Sequence, residues 1–210
     1  MLKFNQPELE ELTLKSLANN TSYPYKLTVY DNSINTRWIG QVWNELIGKS
    51  DCEYICLLNS DVIVTPDWLN DLMKTFETDE KIGIVGPSTN ACGSEQKVSL
   101  EYALENKGKY VNGGILSGFC LLFKKKVWED VGGFDEEFEL YGQDSFFIWK
   151  AIWLGWKSIW NVGVWIYHAG RSSILKAEKN GQYSTEEQSR KAQELYRRKI
   201  QSCDDRGNTR

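Results

Sequence analysis

The stretch that most constrains the fold is residues 54–61, YICLLNSD, an unbroken apolar, β-favouring run that stops abruptly in Asn59, Ser60 and Asp61. An apolar run of strand length fits a strand buried on both faces in a parallel sheet. Its polar end then falls at the carboxyl edge, where open α/β sheets bind ligands. Asp61 placed there, with no basic side chain beside it in sequence, suits a hard divalent cation such as Mg2+ or Mn2+, which would in turn hold phosphate. Taken alone, the N-S-D tripeptide reads more simply as the opening of a turn before Thr65 and Pro66. The choice rests on the remainder of the chain.

That remainder alternates strand-like and helix-like pieces, the pattern of an α/β sheet. Residues 2–4 form the stub of a first strand, and Pro7 stands at a helix start. The helix carries Leu9, Leu12 and Leu17 and fades at Asn19 and Asn20. Residues 25–30 alternate like a strand and stop at the turn signal Asp31, Asn32, Ser33. Ile39, Val42, Trp43, Leu46 and Ile47 fall at i, i+3, i+4, i+7, i+8, an amphipathic helix closed by Gly48. After Asp61 a helix begins at 65–67 with Trp68, Leu72, Met73 and Phe76, and residues 82–85 form a short strand. Residues 88–112 read as a loop with one short element. A strand at 116–123 contains Gly118, and an internal glycine marks a close approach of backbone or ligand. A helix follows over 144–154, then short strands at 158–160 and 164–167 lead to His168. Ser184 and Glu187 make a capping-box signature for a tail helix reaching about Ile200, with disorder expected over 203–210.

A chain of 210 residues with 41% hydrophobic and 26% charged residues supports one well-filled core. The expected division is one domain over 1–175 and a helical tail over 176–210. A formal net charge of -4 leaves no basic stripe for a nucleic-acid backbone. The five cysteines are scattered and free of any CxxC pair, so neither a disulfide framework nor a zinc site is implied, and a reducing cytoplasm fits. No signal peptide and no membrane-spanning run is read, so any membrane contact would be peripheral, at the cytoplasmic face. The tail helix offers a surface that packs on the domain or pairs with a second copy.

Four polar residues stand at strand ends or at a helix mouth: Asp31, Asp61, Asp144 and His168. Strand ends of one parallel sheet converge, so these residues could share one cleft. Each also has a plainer reading. Asp31 caps a turn, Asp144 caps a helix, and His168, the sole histidine, sits as a satisfied core residue.

The segments FNQPELEELTLKSL, TVYDNS, YICLLNSDVIVTPDWL, SGFCLLFKKKVWEDVGGFDEEF, YGQDSFFIWKAIWLGWK and YHAGRSS together resemble the inverting nucleotide-sugar glycosyltransferases of the large family-two group with the GT-A fold. The order and spacing match over residues 2–173. The resemblance implies a GT-A, Rossmann-like sheet, mixed and mainly parallel, flanked by helices, with a truncated first strand and a C-terminal helix. It implies that Asp31 receives the base or ribose, helped by the turn at Phe4 and Asn5. Asn59, Ser60 and Asp61 would form the DxD-like triplet, with Asp61 on the metal and His168 a further ligand or diphosphate contact. Asp144 would be the catalytic base, and Ser117 and Gly118 would lie where donor sugar and acceptor meet. Arg171 is added on electrostatic grounds, as a cation near the departing diphosphate. Mn2+ or Mg2+, a nucleotide-diphosphate sugar (a UDP-sugar first) and a glycan or glycoconjugate acceptor are the implied cofactors and partners.

Three positions depart from the family pattern. The leading strand is short, Gln143 stands where an acid usually precedes the base, and Asn59 replaces the first acid of the triplet. A catalytically silent nucleotide-sugar or glycan binder is therefore the alternative. A sugar-phosphate nucleotidyltransferase lacks its glycine-rich, basic phosphate loop here. Among the aromatic residues from 146 to 167, helical spacing assigns several to the core, with Trp156 and Trp160, near turns, the expected acceptor contacts. Lys150 and Lys157 among the tryptophans raise a peripheral membrane patch that no basic amphipathic helix supports.

Overall fold

Successive side chains of a strand point to opposite faces, and β3 and β7 carry apolar residues on both faces because both faces are covered. In β3 (Tyr54–Leu58), Leu58 enters one core and Leu57 the other. In β7 (Cys120–Lys124), Cys120 and Leu122 face the first core and Leu121 and Phe123 the second. The first core is closed by α1 (Pro7–Asn20) and α3 (Trp68–Phe76), through Leu17, Trp68, Leu69, Leu72 and Phe76. The second is closed by α2 (Ile39–Gly48), α5 (Lys125–Val131) and α6 (Gln143–Trp153), through Trp43, Ile47, Val127, Val131, Phe147, Ile148 and Ala151. The result is a sheet between two helical layers. The computed structural model describes residues 1–34, 36–170 and 184–207.

The main sheet has the order β3-β7-β5-β8-β4, with β5 at Ile82–Thr89, β8 at Lys157–His168 and β4 at Val62–Val64. β6 (Tyr110–Asn112) lies end to end with β4 along the outer edge of β8. β1 (Leu2–Lys3) and β2 (Tyr30–Asp31) form a parallel pair, joined to β3 by the parallel bridge Leu2 to Asn59. Strands β1, β2, β3, β5 and β8 run one way; β4, β6 and β7 run against them. Five of the eight described strands thus share one direction in a mixed arrangement whose parallel ladders are β1–β2 and β5–β8, and the direct ladder partner of β3 is the antiparallel β7. The five co-directional strands deliver Lys3, Asp31, Leu58, Thr89 and His168 to one edge.

Several local expectations change. The strand expected over 25–30 shrinks to Tyr30–Asp31, because its partner β1 has only Leu2 and Lys3 to pair with and residues 24–29 have no strand alongside. Between those residues and β3 lie cavities of about 270 and 130 Å³, both lined by Met1, Leu27, Tyr54, Cys56 and Leu58. Ser117 and Gly118 sit in a turn before β7 and not within a strand. The two strands near 158–167 are one, with a register jump that opposes Pro87 to Asn161 and Ser88 to Trp165 and so loops out residues 162–164. Residues 88–112 contain the end of β5, α4 (Leu100–Glu105) and β6. The tail helix, α7 (Thr185–Gly207), continues through the 203–207 stretch expected to be disordered.

One buried hydroxyl couples a helix to the sheet edge. The fully buried Thr13 of α1 shares its proton between the carbonyls of Ser60 (3.0 Å) and Val62 (2.7 Å) and accepts from the Val62 amide at 3.2 Å. Ser16, one turn on, accepts from the Val64 amide at 3.2 Å. The backbone on both sides of Asp61 is therefore fixed from below. Thr13→Val keeps the shape and removes these bonds, so it is expected to lower unfolding free energy by about 1–3 kcal/mol, read by urea denaturation with an unchanged m-value.

Candidate active site

The site grows from two turns and a strand end at the carboxyl edge: 59–61 after β3, 117–119 before β7, and the last residue of β8. His168, the last residue of β8, is held on every side. Its amide donates to Asn90 Oδ1 at 2.8 Å, its carbonyl accepts from Asn90 Nδ2 at 3.0 Å, and Phe119 stacks on its ring at 5.2 Å. Nδ1 lies 2.8 Å from the Ala91 carbonyl, which can only accept, so Nδ1 carries a proton. The Nε2 lone pair is thereby directed into the site. It faces Asp61 Oδ1 at 3.4 Å and the Asn59 amide nitrogen at 3.3 Å. Both Asp61 and His168 are buried. Burial opposes charge on the imidazole, but the hydrogen bond and charge of Asp61, with the Ala91 carbonyl, outweigh it and raise its pKa.

An imidazole lone pair and a carboxylate oxygen facing one another require a proton or a cation between them. Two bonds of about 2.1 Å to one ion span their separation. The pair therefore fits Mn2+ or Mg2+. Among the described residues no group of three His, Cys, Asp or Glu side chains could hold a metal. The remaining positions suit water and substrate phosphate, the usual habit of Mg2+.

Asp144 occupies the first turn of α6, behind Gly142 in the left-handed region at φ 92°. Its Oδ1 accepts from the Ser145 amide at 2.7 Å. On the other side it meets the 117–119 turn, where a Cβ built on Gly118 would stand 2.4 Å from Asp144 Oδ2. Burial pushes the Asp144 carboxyl above its ordinary pKa, opposed by hydrogen bonds from Ser145 and the Gly118 backbone. The same short turn thus touches Asp144 through Gly118, the imidazole through the Phe119 ring, and Asn59 through the Phe119 carbonyl, which accepts from the Asn59 amide at 2.9 Å. Ser117 is anchored beneath, its amide donating to the buried Gln96 at 2.7 Å.

Asp61, Asn59, His168, Gly118 and Asp144 are therefore brought together, with Ser60 buried between Asn59 and Asp61. Phe4, Asn5 and Asp31 lie further along the edge, at the ends of β1 and β2. Asn5 takes φ 55° and turns the chain into α1. Asp31 is exposed; the Ser33 hydroxyl and amide, with Lys3 at 4.0 Å, hold its carboxyl below the usual range. Arg171 lies outside the described residues. Trp156 is not at the site. Trp156 precedes the start of β8, at the end opposite His168, and donates to Asp130 at 3.2 Å; Trp160 packs on the second core and donates to Ser88 at 2.9 Å. A cavity of about 1080 Å³ between α3 and α4 holds none of these polar residues. Asn90, Ala91, Gln96 and Phe119 were not singled out by the sequence, where the first three fall in a polar stretch with no periodicity.

The family model "Glycosyl transferase family 2" matches residues 10–132, more than half of the chain. Among solved structures, the chain superposes on a crystal structure of GalNAc-T7 with UDP, GalNAc and Mn2+ (TM-score 0.62, 12% identity, 80% of this chain and 42% of that one). It also superposes on the mannosyltransferase PcManGT from Pyrobaculum calidifontis in complex with GDP-Man and Mn2+ (TM-score 0.60, 17% identity, 80% and 55%). The chain spans about half the length of these proteins, and at such identities the likeness speaks for the shared GT-A architecture. No curated protein matches the sequence. A family model that runs from within α1 through β7 and takes in the 59–61 triplet and the 117–119 turn leads to one statement: the chain belongs to glycosyl transferase family 2.

Proposed function

We propose that this chain transfers a sugar from a nucleotide-diphosphate donor to a hydroxyl of a glycan, polysaccharide or glycoconjugate, with inversion at the anomeric carbon and with Mn2+ or Mg2+. The observation that carries this reading is the facing pair Asp61 and His168 at 3.4 Å, one turn away from the carboxylate of Asp144. Both solved neighbours hold Mn2+, one with UDP and the other with GDP-Man. The metal, when bound, neutralises charge on the departing diphosphate. The protein orients its ligands: Ala91 fixes the imidazole tautomer, and Thr13 fixes the backbone around Asp61.

An acceptor hydroxyl is a poor nucleophile, so a carboxylate within hydrogen-bond reach must take its proton as it attacks. Asp144 is that base. Attack from the face opposite the leaving group inverts the anomeric centre in one step, without a covalent intermediate or a second carboxylate. Asp31, Phe4 and Asn5, at the ends of β2 and β1, receive the base and ribose, with UDP the first donor to try. Arg171 would support the diphosphate.

Calorimetric titration with UDP and Mn2+ tests the donor site. Asp61→Ala is expected to weaken metal-dependent binding about 10- to 100-fold, whereas Asp144→Asn leaves it within twofold and lowers kcat about 10²- to 10⁴-fold. Metal-dependent binding without transfer to any acceptor would leave a silent binder.

Gly118→Ala places a methyl group where Asp144 Oδ2 stands. It should cost about 100-fold in kcat by displacing the base, with UDP affinity unchanged.

The pH profile follows from the direction of the Asp144 shift. Only the ionised form accepts a proton, and burial raises the pKa. Transfer is therefore expected to rise with pH through a limb displaced upward from the ordinary carboxylate range, a limb absent from the residual activity of Asp144→Asn.

A further inference from the structure

The tail helix α7 lies beyond the residues matched by the family model and outside the donor site, yet its contacts concentrate on the segment that leads into Asp144. That segment, residues 133–142, is acidic: Asp135, Glu136, Glu137 and Glu139. On its inner side Asn44 of α2 accepts from the Phe134 amide at 2.8 Å and donates to the Phe134 carbonyl at 2.8 Å. Its outer side is covered by α7. Lys199, with only 18% of its side chain exposed, sits 2.6 Å from Asp135 and 2.6 Å from Glu137. Arg198 reaches Glu137 at 3.1 Å, and Gln188 donates to Glu139 at 2.8 Å. Between these polar ends Ala192 is buried with Phe138 and Phe146, and Tyr196 meets the Phe146 ring edge-on at 6.0 Å.

The geometry also excludes slack. Gly142, the residue that caps α6 two positions before Asp144, has room for no side chain: a Cβ there would stand 2.8 Å from the Phe138 ring and 3.5 Å from Ala192 Cβ. Phe138 is therefore wedged between Gly142 and α7. The Tyr196 hydroxyl is disfavoured from ionising first by burial and then by the charge of Asp144, so the two groups share one electrostatic environment.

We propose that α7 is a working part of the active site: it clamps residues 133–142 from outside and so sets the position of Asp144 for transfer, with Lys199, Ala192 and Tyr196 as positioning residues. This rests on the reading of Asp144 as the base. A helix that merely covered the surface would need neither a nearly buried lysine held by two carboxylates nor an alanine packed against a cap glycine. The contacts of a positioning helix converge on the segment it positions, as these do.

The test compares full-length Lys199→Glu, which sets a third negative charge against Asp135 and Glu137, with Lys199→Arg, which keeps the charge. Hydrogen exchange gives a readout independent of activity. Protection of the Phe138 and Phe146 amides should fall about tenfold in Lys199→Glu and be restored in Lys199→Arg, with the β3 and β7 amides unchanged. Transfer kcat should fall about 10- to 100-fold in the first variant and recover in the second, with UDP affinity unchanged in both. Ala192→Phe, which overfills the contact with Gly142 and Phe138, should reproduce the loss. Unchanged protection in both Lys199→Glu and Ala192→Phe would overturn the clamp. Lost protection with unchanged kcat would overturn its role in transfer while leaving Asp144 as the base. A wild type that binds UDP with Mn2+ but transfers nothing would overturn the reading of Asp144, and the role of α7 with it.

Discussion

The close approach of Gly118 to Asp144 is the contact on which the site depends. Contacts to Asp144, His168 and Asn59 are collected on one turn of three residues because position 118 has no side chain, position 119 presents a flat ring, and the intervening backbone is short. The proposed base and the proposed metal-holding pair come from separate segments, and without a common contact their spacing would vary with every fluctuation of either. Tying both to the entry of β7, whose side chains are buried in both cores, gives the reacting groups the rigidity of the sheet, and geometric precision is worth several powers of ten in rate.

The electrostatic arrangement is economical. Two buried polar groups, Asp61 and His168, face each other, and the protein supplies neutral partners around them: the Asn59 amide, the Ala91 carbonyl and a phenyl ring. An acid in place of Asn59 would add a second negative charge beside Asp61. The amide instead places a donor on the imidazole lone pair, which keeps the ring oriented while leaving the net charge of the site low. A buried charge needs paired, hydrogen-bonded surroundings, and here most are backbone or amide groups that do not titrate.

Much of the layout was legible in the sequence because it rests on strand direction and on abrupt changes of polarity. The run 54–58 ending in Asn59, and the apolar strand ending in His168, signal the edge by themselves, and the 3.6-residue periodicity of α2 is unmistakable. What could not be read depends on contacts between distant segments. Thr13 is an ordinary polar residue in a helix until it is found beneath Asp61. Asn90 and Ala91 hold the imidazole across more than seventy residues of chain. The extended stretch at 24–29 looks like a strand by alternation, and fails to be one only because nothing lies beside it. Trp156 falls elsewhere for a related reason: proximity to a turn says nothing about which end of the sheet the turn occupies.

The narrow join between the two sheets has a consequence for how a donor would be gripped. β1 and β2 are two residues each and join the end of β3 through the bridge Leu2 to Asn59, with cavities beside it, whereas His168 ends the twelve-residue β8, Asp144 stands in the eleven-residue α6, and the backbone around Asp61 is bonded to the buried Thr13. Local opening follows the number of buried contacts, so the end proposed to meet the nucleoside belongs to a softer body than the end proposed to meet the phosphates. Under the proposed donor site, capture would divide in time: the diphosphate would dock on the more rigid end, and the nucleoside end would order around it. Discrimination between bases would then be a late event, its strength set by how much order β1 and β2 gain.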